Sequence, residues 1–117
     1  MWNSKFEVDI YWTKRIVSAP RYQMQDFMDM CPVKRQLNDH TGSIEVCEWR
    51  NLGVLWGRLS GLTYKEIGSY INKSRGGLII NLKTAFNLFD QGDKSFMEKL
   101  ERVKKYSQIK HSLDEKI

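Results

Sequence analysis

The chain has 117 residues, a net charge of +5 and an isoelectric point near 9.3, which indicates about one domain with a modest core and a preference for anionic partners. No stretch approaches the ~20 apolar residues of a membrane span, and no charged and then apolar signal peptide opens the chain, so we expect a cytoplasmic protein without a membrane partner. Its cysteines, Cys31 and Cys47, and its two histidines have no ligand spacing, which predicts no metal. Both cysteines lie on apolar stripes, which predicts reduced, buried thiols, and we expect no cofactor.

Residues 1–43 predict a helical extension followed by a loop. Over residues 1–18 the apolar positions fit either a strand or a helix, and a helix is favoured because the chain offers no second strand to pair with it. A further helix begins near Pro20, which suits a first turn, and ends before Pro32. Residues 33–43 are polar and predict a surface loop. The helix is indicated by apolar residues at helical spacing: Met24, Phe27, Met28 and Cys31.

The segment from Ile44 to Leu59 predicts an amphipathic helix. Arg50 and Arg58 lie off its apolar stripe, two turns apart and on roughly the same face. Alone they are typical solvated arginines, but both would meet phosphate groups if DNA lay against this face. The stripe consists of Val46, Trp49, Leu52, Gly53, Trp56 and Leu59, while Asn51 and Val54 lie off it with the two arginines.

Residues 61–89 predict a short helix, a turn and a longer helix. Thr63 and Glu66 have the Thr-x-x-Glu spacing of a capping box, the first apolar face ends at Ile71, and residues 72–77 form a turn. In the second helix the apolar positions are Leu78, Ile79, Leu82, Ala85, Phe86 and Phe89, and the exposed ones are Asn81, Lys83, Thr84 and Asn87. This is the order of a helix-turn-helix, whose second helix can enter a major groove with its N-terminal residues near base edges.

The charge of this segment favours DNA as the partner. Residues 61–117 carry eleven Lys and Arg against seven acids, whereas residues 1–60 carry eight against seven. Within residues 61–89 there are four basic residues and one acid, and a local basic excess is the expected footprint of phosphate binding. Two helices joined by a short turn also occur in many proteins that never touch DNA, so the prediction depends on the charge.

After this motif, residues 90–93 predict a turn and then a last helix. Asp93 or Ser95 can cap that helix, because Ser95-x-x-Glu98 has the spacing of a second capping box. Beyond Tyr106 the chain becomes polar, which predicts a frayed end, although Ile109 and Leu113 could extend the helix or meet a partner. We therefore expect an all-α fold, a compact domain of about five to six helices that contains the helix-turn-helix. The expected divisions are an extension and loop at 1–43, a helix-turn-helix domain at 44–106 and a polar tail at 107–117.

Four short motifs occur in the order of a known family. The first, Glu48-x-Arg50-Asn-Leu-Gly, looks like the family's Glu-Ala-Arg-Gln-Ile-Ala, and the second, Leu62-Thr-Tyr-Lys-Glu-Ile-Gly68, looks like its Leu-Ser-Leu-Pro-Glu-Ile-Gly. The third, Ile79-Ile80-Asn81, falls where the family has Val-Leu-His. The fourth, Asp93-Lys-Ser-Phe96, looks like the family's Asp-Lys-x-Phe. Together, residues 48–100 resemble the C-terminal DNA-binding domain of the bacterial replication initiator DnaA, an all-helical fold with a helix-turn-helix of the Trp-repressor type. The central run also resembles sigma-factor region 4 motifs of the Gly-Leu-Ser-Tyr-Lys-Glu-Ile type.

The resemblance implies DNA contacts only where positions match. Arg50 matches an arginine that reaches DNA, Arg58 a phosphate-contacting lysine, and Lys65 a proline that lies near phosphate. The family's base-reading Asp-His-Thr-Thr falls on Arg75-Gly-Gly-Leu78, so its origin-box specificity should be lost. Arg75 could contact guanine instead, and the glycines could let the backbone approach a phosphate. The expected DNA contacts are Arg50, Arg58, Thr63, Lys65, Lys73, Ser74, Arg75, Gly76, Gly77, Asn81 and Lys83.

We therefore expect a small double-stranded DNA-binding protein of transcription regulation or replication, of phage or mobile-element type, and not an enzyme. No Gly-x-x-x-x-Gly-Lys-Ser/Thr loop and no nucleophile with a base occur, and His40 has no catalytic partner at a telling spacing. One alternative stays open: a protein-interaction module that keeps the helix-turn-helix shape and binds a replication or transcription protein. Homodimerisation also stays open, because many such motifs read paired half-sites.

Overall fold

Five α-helices account for most of the structure, a computed structural model that describes residues 23–38 and 43–115. Within these ranges there is no strand, which confirms the all-α prediction, and none of the helices is both long and apolar enough to cross a bilayer. The helix predicted over residues 1–18 and His40 lie outside the described residues. The helices are α1 (Met24–Met30), α2 (Ile44–Leu59), α3 (Tyr64–Tyr70), α4 (Arg75–Gln91) and α5 (Lys94–Glu115), and a short 3-10 turn covers Lys34–Gln36.

The central helix is α2, which packs against each of the other four. It begins where the Ser43 hydroxyl accepts a hydrogen bond from the backbone N–H of Val46 (3.3 Å), and it spans the predicted range. The predicted apolar stripe is buried, but so are Arg50, Asn51 and Val54, and their expected exposure is wrong. Because neighbours cover it on several sides, α2 is a core helix rather than a half-exposed amphipathic one.

Two glycines of α2 let its neighbours approach closely. A Cβ atom added at Gly53 would lie 2.8 Å from the Phe27 ring of α1 and 2.9 Å from Cδ1 of Ile71, which follows α3. At Gly57 it would lie 2.7 Å from Cγ1 of Ile67 on α3. These separations are far below van der Waals contact. The position of α3 against α2 therefore depends on the missing side chains at these two sites.

Residues 33–38 lie largely on the surface, as their composition predicts, because Lys34, Arg35, Gln36 and Asn38 are exposed, and Leu37 is the exception. Leu37 has no exposed surface and belongs to the same hydrophobic core as Phe27 of α1. Arg50 holds this segment, since its guanidinium donates to the backbone carbonyls of Leu37 (2.8 Å) and Gln36 (3.4 Å). The predicted extension thus packs into the core of the helices that follow it, and the division at residue 43 stays a prediction.

The connection from α4 to α5 uses one of the two predicted caps. Gly92 ends α4 in the left-handed region (φ +68°), which glycine adopts without strain. Asp93 caps α5, because its carboxylate accepts from the backbone N–H of Phe96 (3.0 Å). The predicted cap by Ser95 is wrong, since Ser95 lies inside the helix and its hydroxyl donates to Glu48 of α2 (2.7 Å).

The chain does not fray beyond Tyr106, and the alternative of a longer helix is confirmed, because α5 continues to Glu115. Asp26 of α1 is buried, and its carboxylate accepts hydrogen bonds from the Ser107 hydroxyl (2.8 Å) and the Lys110 ammonium (3.1 Å). A buried carboxylate needs such partners, since an unpaired charge in the interior is costly. These bonds hold a polar stretch of α5 in helical form against α1.

Candidate nucleic-acid interface

The first helix of the motif begins at the predicted capping box. The Thr63 hydroxyl accepts from the backbone N–H of Glu66 (3.2 Å), and the Glu66 carboxylate accepts from the backbone N–H of Thr63 (3.0 Å). The latter bond lowers the pKa of Glu66, because it stabilises the charged form. Ile67 and Ile71 have no exposed surface and face the core. Thr63 therefore fixes where α3 begins.

The turn between the two helices is shorter than predicted and covers residues 71–74. The Ser74 hydroxyl accepts from the backbone N–H of Gly77 (3.2 Å), and α4 begins at Arg75. The second half of the turn predicted over residues 72–77 is therefore wrong. The cap at Ser74 satisfies one of the unpaired N–H groups of the first helical turn, which helps a segment with two glycines to start a helix.

Gly76 and Gly77 lie in the first turn of α4 and have ordinary negative φ angles. A Cβ atom at Gly77 would make ordinary contacts with the Ser74 hydroxyl (3.4 Å) and Lys73 Cδ (3.6 Å), and one at Gly76 would meet nothing within 4 Å. Glycine in a helix costs about 1 kcal/mol relative to alanine. Nothing in the described chain requires glycine at position 76, and the surface above it is open.

Tyr64, the first residue of α3, contacts two of the expected DNA-binding arginines. The guanidinium of Arg58 lies over its ring, 4.9 Å from the centroid, and that of Arg75 lies 5.8 Å from the centroid. Arg58 is half-buried and also donates to the backbone carbonyl of Leu62 (2.9 Å). Arg58 therefore braces the segment between α2 and α3, whereas Arg75 is exposed and is held by Tyr64 where α4 begins.

Arg50 is not on the exposed face that the sequence assigns to it, because only 3% of its surface is exposed. The segment that it holds carries Asn38, whose side-chain oxygen accepts from the backbone N–H of Asn72 in the turn of the motif (2.7 Å). Arg50 thus supports that turn from the interior. Its burial argues against the phosphate contact that the resemblance implies.

The exposed side of α4 differs from the predicted one at Thr84, which is half-buried, and at Asn81. That residue is half-buried, and its amide donates to the Asn51 side-chain oxygen (2.6 Å), which joins α4 to α2. Ile80 is 65% exposed. The exposed positions at helical spacing from Gly76 to Asn87 form the outer face of α4, which consists of Gly76, Ile80, Lys83 and Asn87, and the exposed Asp90 continues this spacing in the last turn.

Four cations belong to the motif, and three of them, Lys65, Arg75 and Lys83, are exposed. Lys73 is half-buried, with its chain along Gly77. Ammonium groups and a planar guanidinium donate hydrogen bonds to phosphate oxygens, and a guanidinium also matches the paired acceptors of guanine. The exposed part of the motif therefore has the donors that an anionic, acceptor-lined groove requires.

Comparison of the chain with protein-family models, with curated proteins and with solved structures gave no match.

Among residues 23–38 and 43–115, no group of three or more His, Cys, Asp or Glu side chains is placed to hold a metal ion. Cys31 is buried, and burial raises the pKa of its thiol. Cys47 is exposed, so the prediction of two buried thiols is right only for Cys31.

The predicted contacts omit two residues of this surface, Tyr64 and Ile80. The sequence carries a signal for each of them. Tyr64 directly follows the N-cap Thr63, so it must lie in the first turn of α3 beside the motif. Ile80 lies off the apolar stripe of α4 and four residues after Gly76, which places both on one helix face.

Proposed function

We propose that this protein binds double-stranded DNA through its helix-turn-helix, in transcription regulation or DNA replication. The outer face of α4 gives this proposal its main support. It is exposed, the acid that continues it, Asp90, lies only in the last turn of α4, and its first turn lies next to Arg75, whose guanidinium is 5.8 Å from the ring centroid of Tyr64. An α-helix fits the width of a major groove, and the N-terminal half of this face has no acidic side chain to repel phosphates.

In the proposed complex the N-terminal half of α4 lies in the major groove. Arg75 donates to the acceptors of a guanine, and Lys65, Lys73 and Lys83 neutralise phosphates on either side of the groove. Thr63 and Ser74 act through their caps, which place the first turns of the two helices. The backbone N–H groups of these first turns that have no partner within the helix can then face phosphate oxygens. Arg50, Arg58 and Asn81 act inside the fold.

The resemblance to the DnaA C-terminal domain and to sigma-factor region 4 fits this proposal. Both use a helix-turn-helix to bind DNA, but this chain has Arg75, Gly76 and Gly77 where the first family has base-reading side chains. We therefore propose a related way of docking with a different base preference. Selection of bound sequences from random duplex DNA would reveal that preference.

The direct test is fluorescence anisotropy with random-sequence duplexes over a range of salt concentrations. The proposal predicts binding that weakens steeply with salt, and a log–log slope that becomes shallower by about 0.9 for each phosphate contact removed. Lys65→Ala, Lys73→Ala and Lys83→Ala should each show this effect, whereas Lys105→Ala, an exposed lysine of α5, should not. If no duplex binds even at low salt, the proposal is wrong.

A second candidate is a protein-interaction module, and the exposed Ile80 favours it, because buried apolar side chains anchor many protein interfaces. This candidate predicts no duplex binding at any salt concentration. It also predicts that a replication or transcription protein stays bound to the chain after nuclease treatment. The two candidates therefore give opposite results in the same pair of experiments.

A further inference from the structure

Ile80 is the large apolar side chain that the motif leaves in solvent. Among the described residues three large hydrophobic side chains are strongly exposed: Ile44 (80%), Ile80 (65%) and Ile109 (53%). Ile44 begins α2 and Ile109 lies late in α5, so only Ile80 belongs to the helix proposed to enter DNA. It lies near the middle of the outer face of α4, between Gly76 and Lys83 at helical spacing.

The surroundings of Ile80 leave it free to contact a partner. Side chains in a helix point back toward its N-terminus, so Ile80 extends over the turn that contains Gly76. A Cβ atom at Gly76 would meet nothing within 4 Å, and the glycine itself has no side chain to shield its neighbour. The backbone at Gly76 can therefore approach a partner closely, and Ile80 is then the side chain that reaches it.

We infer that Ile80 contacts the C5-methyl group of a thymine in the major groove and so selects for thymine at one position of the bound site. This inference rests on the proposed DNA binding. The thymine methyl is the apolar group that base pairs present in the major groove, and apolar side chains recognise it there. The charge of residues 61–89 favours DNA over a protein partner, because they carry four basic residues and one acid, and that acid, Glu66, is engaged in the cap of α3. Asp90 follows ten residues after Ile80, in the last turn of α4.

The test uses deoxyuridine, which pairs as thymidine does but lacks the methyl group. A duplex selected from a random library is prepared with each thymidine replaced in turn by deoxyuridine, and the affinity of each duplex is measured. One buried methyl group is worth about 0.8 kcal/mol, so the wild-type protein should bind about fourfold more weakly when the contacted thymidine is replaced. Ile80→Ala should bind the thymidine duplex about fourfold more weakly and should not distinguish the two bases there.

Ile109→Ala is the matched control, since it truncates an exposed isoleucine of α5 and should keep the preference for thymidine. Both variants should retain the melting temperature of the wild-type chain because neither removes a buried side chain. The inference alone fails if the wild-type protein binds duplex DNA but ignores every methyl group, or if Ile80→Ala keeps the preference. If the wild-type protein binds no duplex, both the proposed function and this inference fail. Loss of a nuclease-insensitive protein partner in Ile80→Ala would then assign the outer face to protein binding.

Discussion

The guanidinium of Arg75 lies 5.8 Å from the ring centroid of Tyr64. The contact joins the first residue of α4 to the first residue of α3, across the turn of the motif. A solvated arginine samples many rotamers, and ordering it when a ligand binds costs free energy. An aromatic ring that holds the guanidinium beforehand reduces this cost, so Tyr64 is a positioning residue for Arg75.

Replacing Tyr64 with leucine removes this contact together with that of Arg58 and leaves every charge of the motif in place. We expect the affinity for a selected duplex to fall about two- to fivefold, the equivalent of one partly exposed cation–π contact. The slope of affinity against salt should not change, whereas Arg75→Ala should weaken binding and make the slope shallower. Anisotropy titrations at several salt concentrations distinguish the two effects. Equal slopes for both variants would argue against a phosphate contact by Arg75, and an unchanged affinity in Arg75→Ala would argue against a base contact as well.

Gly57→Ala should destabilise the fold, because the added methyl group would lie 2.7 Å from Cγ1 of Ile67. Ile67 is fully buried and cannot move aside without shifting α3 on α2. Overpacking of this kind costs about 1–3 kcal/mol, and the free energy of unfolding measured in urea should fall by that amount. A stability equal to that of the wild-type chain would mean that α3 does not pack this closely on α2.

Gly76→Ala should have the opposite effect on stability. The new methyl group meets nothing within 4 Å, and alanine favours a helix over glycine by up to about 1 kcal/mol. If α4 enters a groove with its backbone near DNA, the same variant should bind a selected duplex more weakly. Urea unfolding and anisotropy on one preparation measure both quantities. Tighter or unchanged binding would show that DNA does not approach the backbone at this position.

Signals close together in the sequence were enough to predict several elements of the fold. The bounds of α2 follow from its apolar spacing, and the start of α3 follows from Thr63 and Glu66, three residues apart. In both cases the groups that decide the structure are neighbours on one helix. The first half of the motif could therefore be predicted in detail before its packing was known.

Contacts between distant residues account for what could not be predicted. Arg50 lies off the apolar stripe and looks solvent-facing, yet carbonyls at positions 36 and 37 accept its hydrogen bonds. In the sequence the end of α5 looks frayed, because it is polar and the partner of its polar residues is not nearby. That partner is Asp26, more than 80 positions earlier. Neither pairing has a local signature. The candidate site differs from the predicted one for the same reason. The sequence predicts Arg50 and Asn81 on the exposed surface, but their burial depends on what packs against α2.

An ion pair between α2 and α5 gives the fold a dependence on pH. The Lys99 ammonium lies 2.6 Å from the Glu48 carboxylate and 3.1 Å from that of Glu45. Burial alone would raise the pKa of Glu48, but hydrogen bonds from Lys99 and Ser95 outweigh it and hold this pKa below its ordinary value of 4.5. Because the carboxyl has a lower pKa in the folded chain than in the unfolded one, its contribution is complete above about pH 4.5. That contribution is lost as the pH falls through the folded value.

Glu48→Gln should therefore cost stability in a pH-dependent way. At neutral pH the variant removes a charged partner from Lys99, whose side chain is 7% exposed, and we expect a loss of about 1–2 kcal/mol in the free energy of unfolding, because Glu45 still pairs with the lysine. Well below the folded pKa of Glu48 the wild-type carboxyl is itself neutral, so the two proteins should converge. Urea unfolding at neutral pH and at a series of increasingly acidic pH values measures the difference. Glu98→Gln, at an exposed site on the same helix, should change stability by less than about 0.5 kcal/mol at each pH. If the difference in free energy of unfolding between Glu48→Gln and the wild-type chain does not change with pH, the glutamate acts through packing and not through its charge.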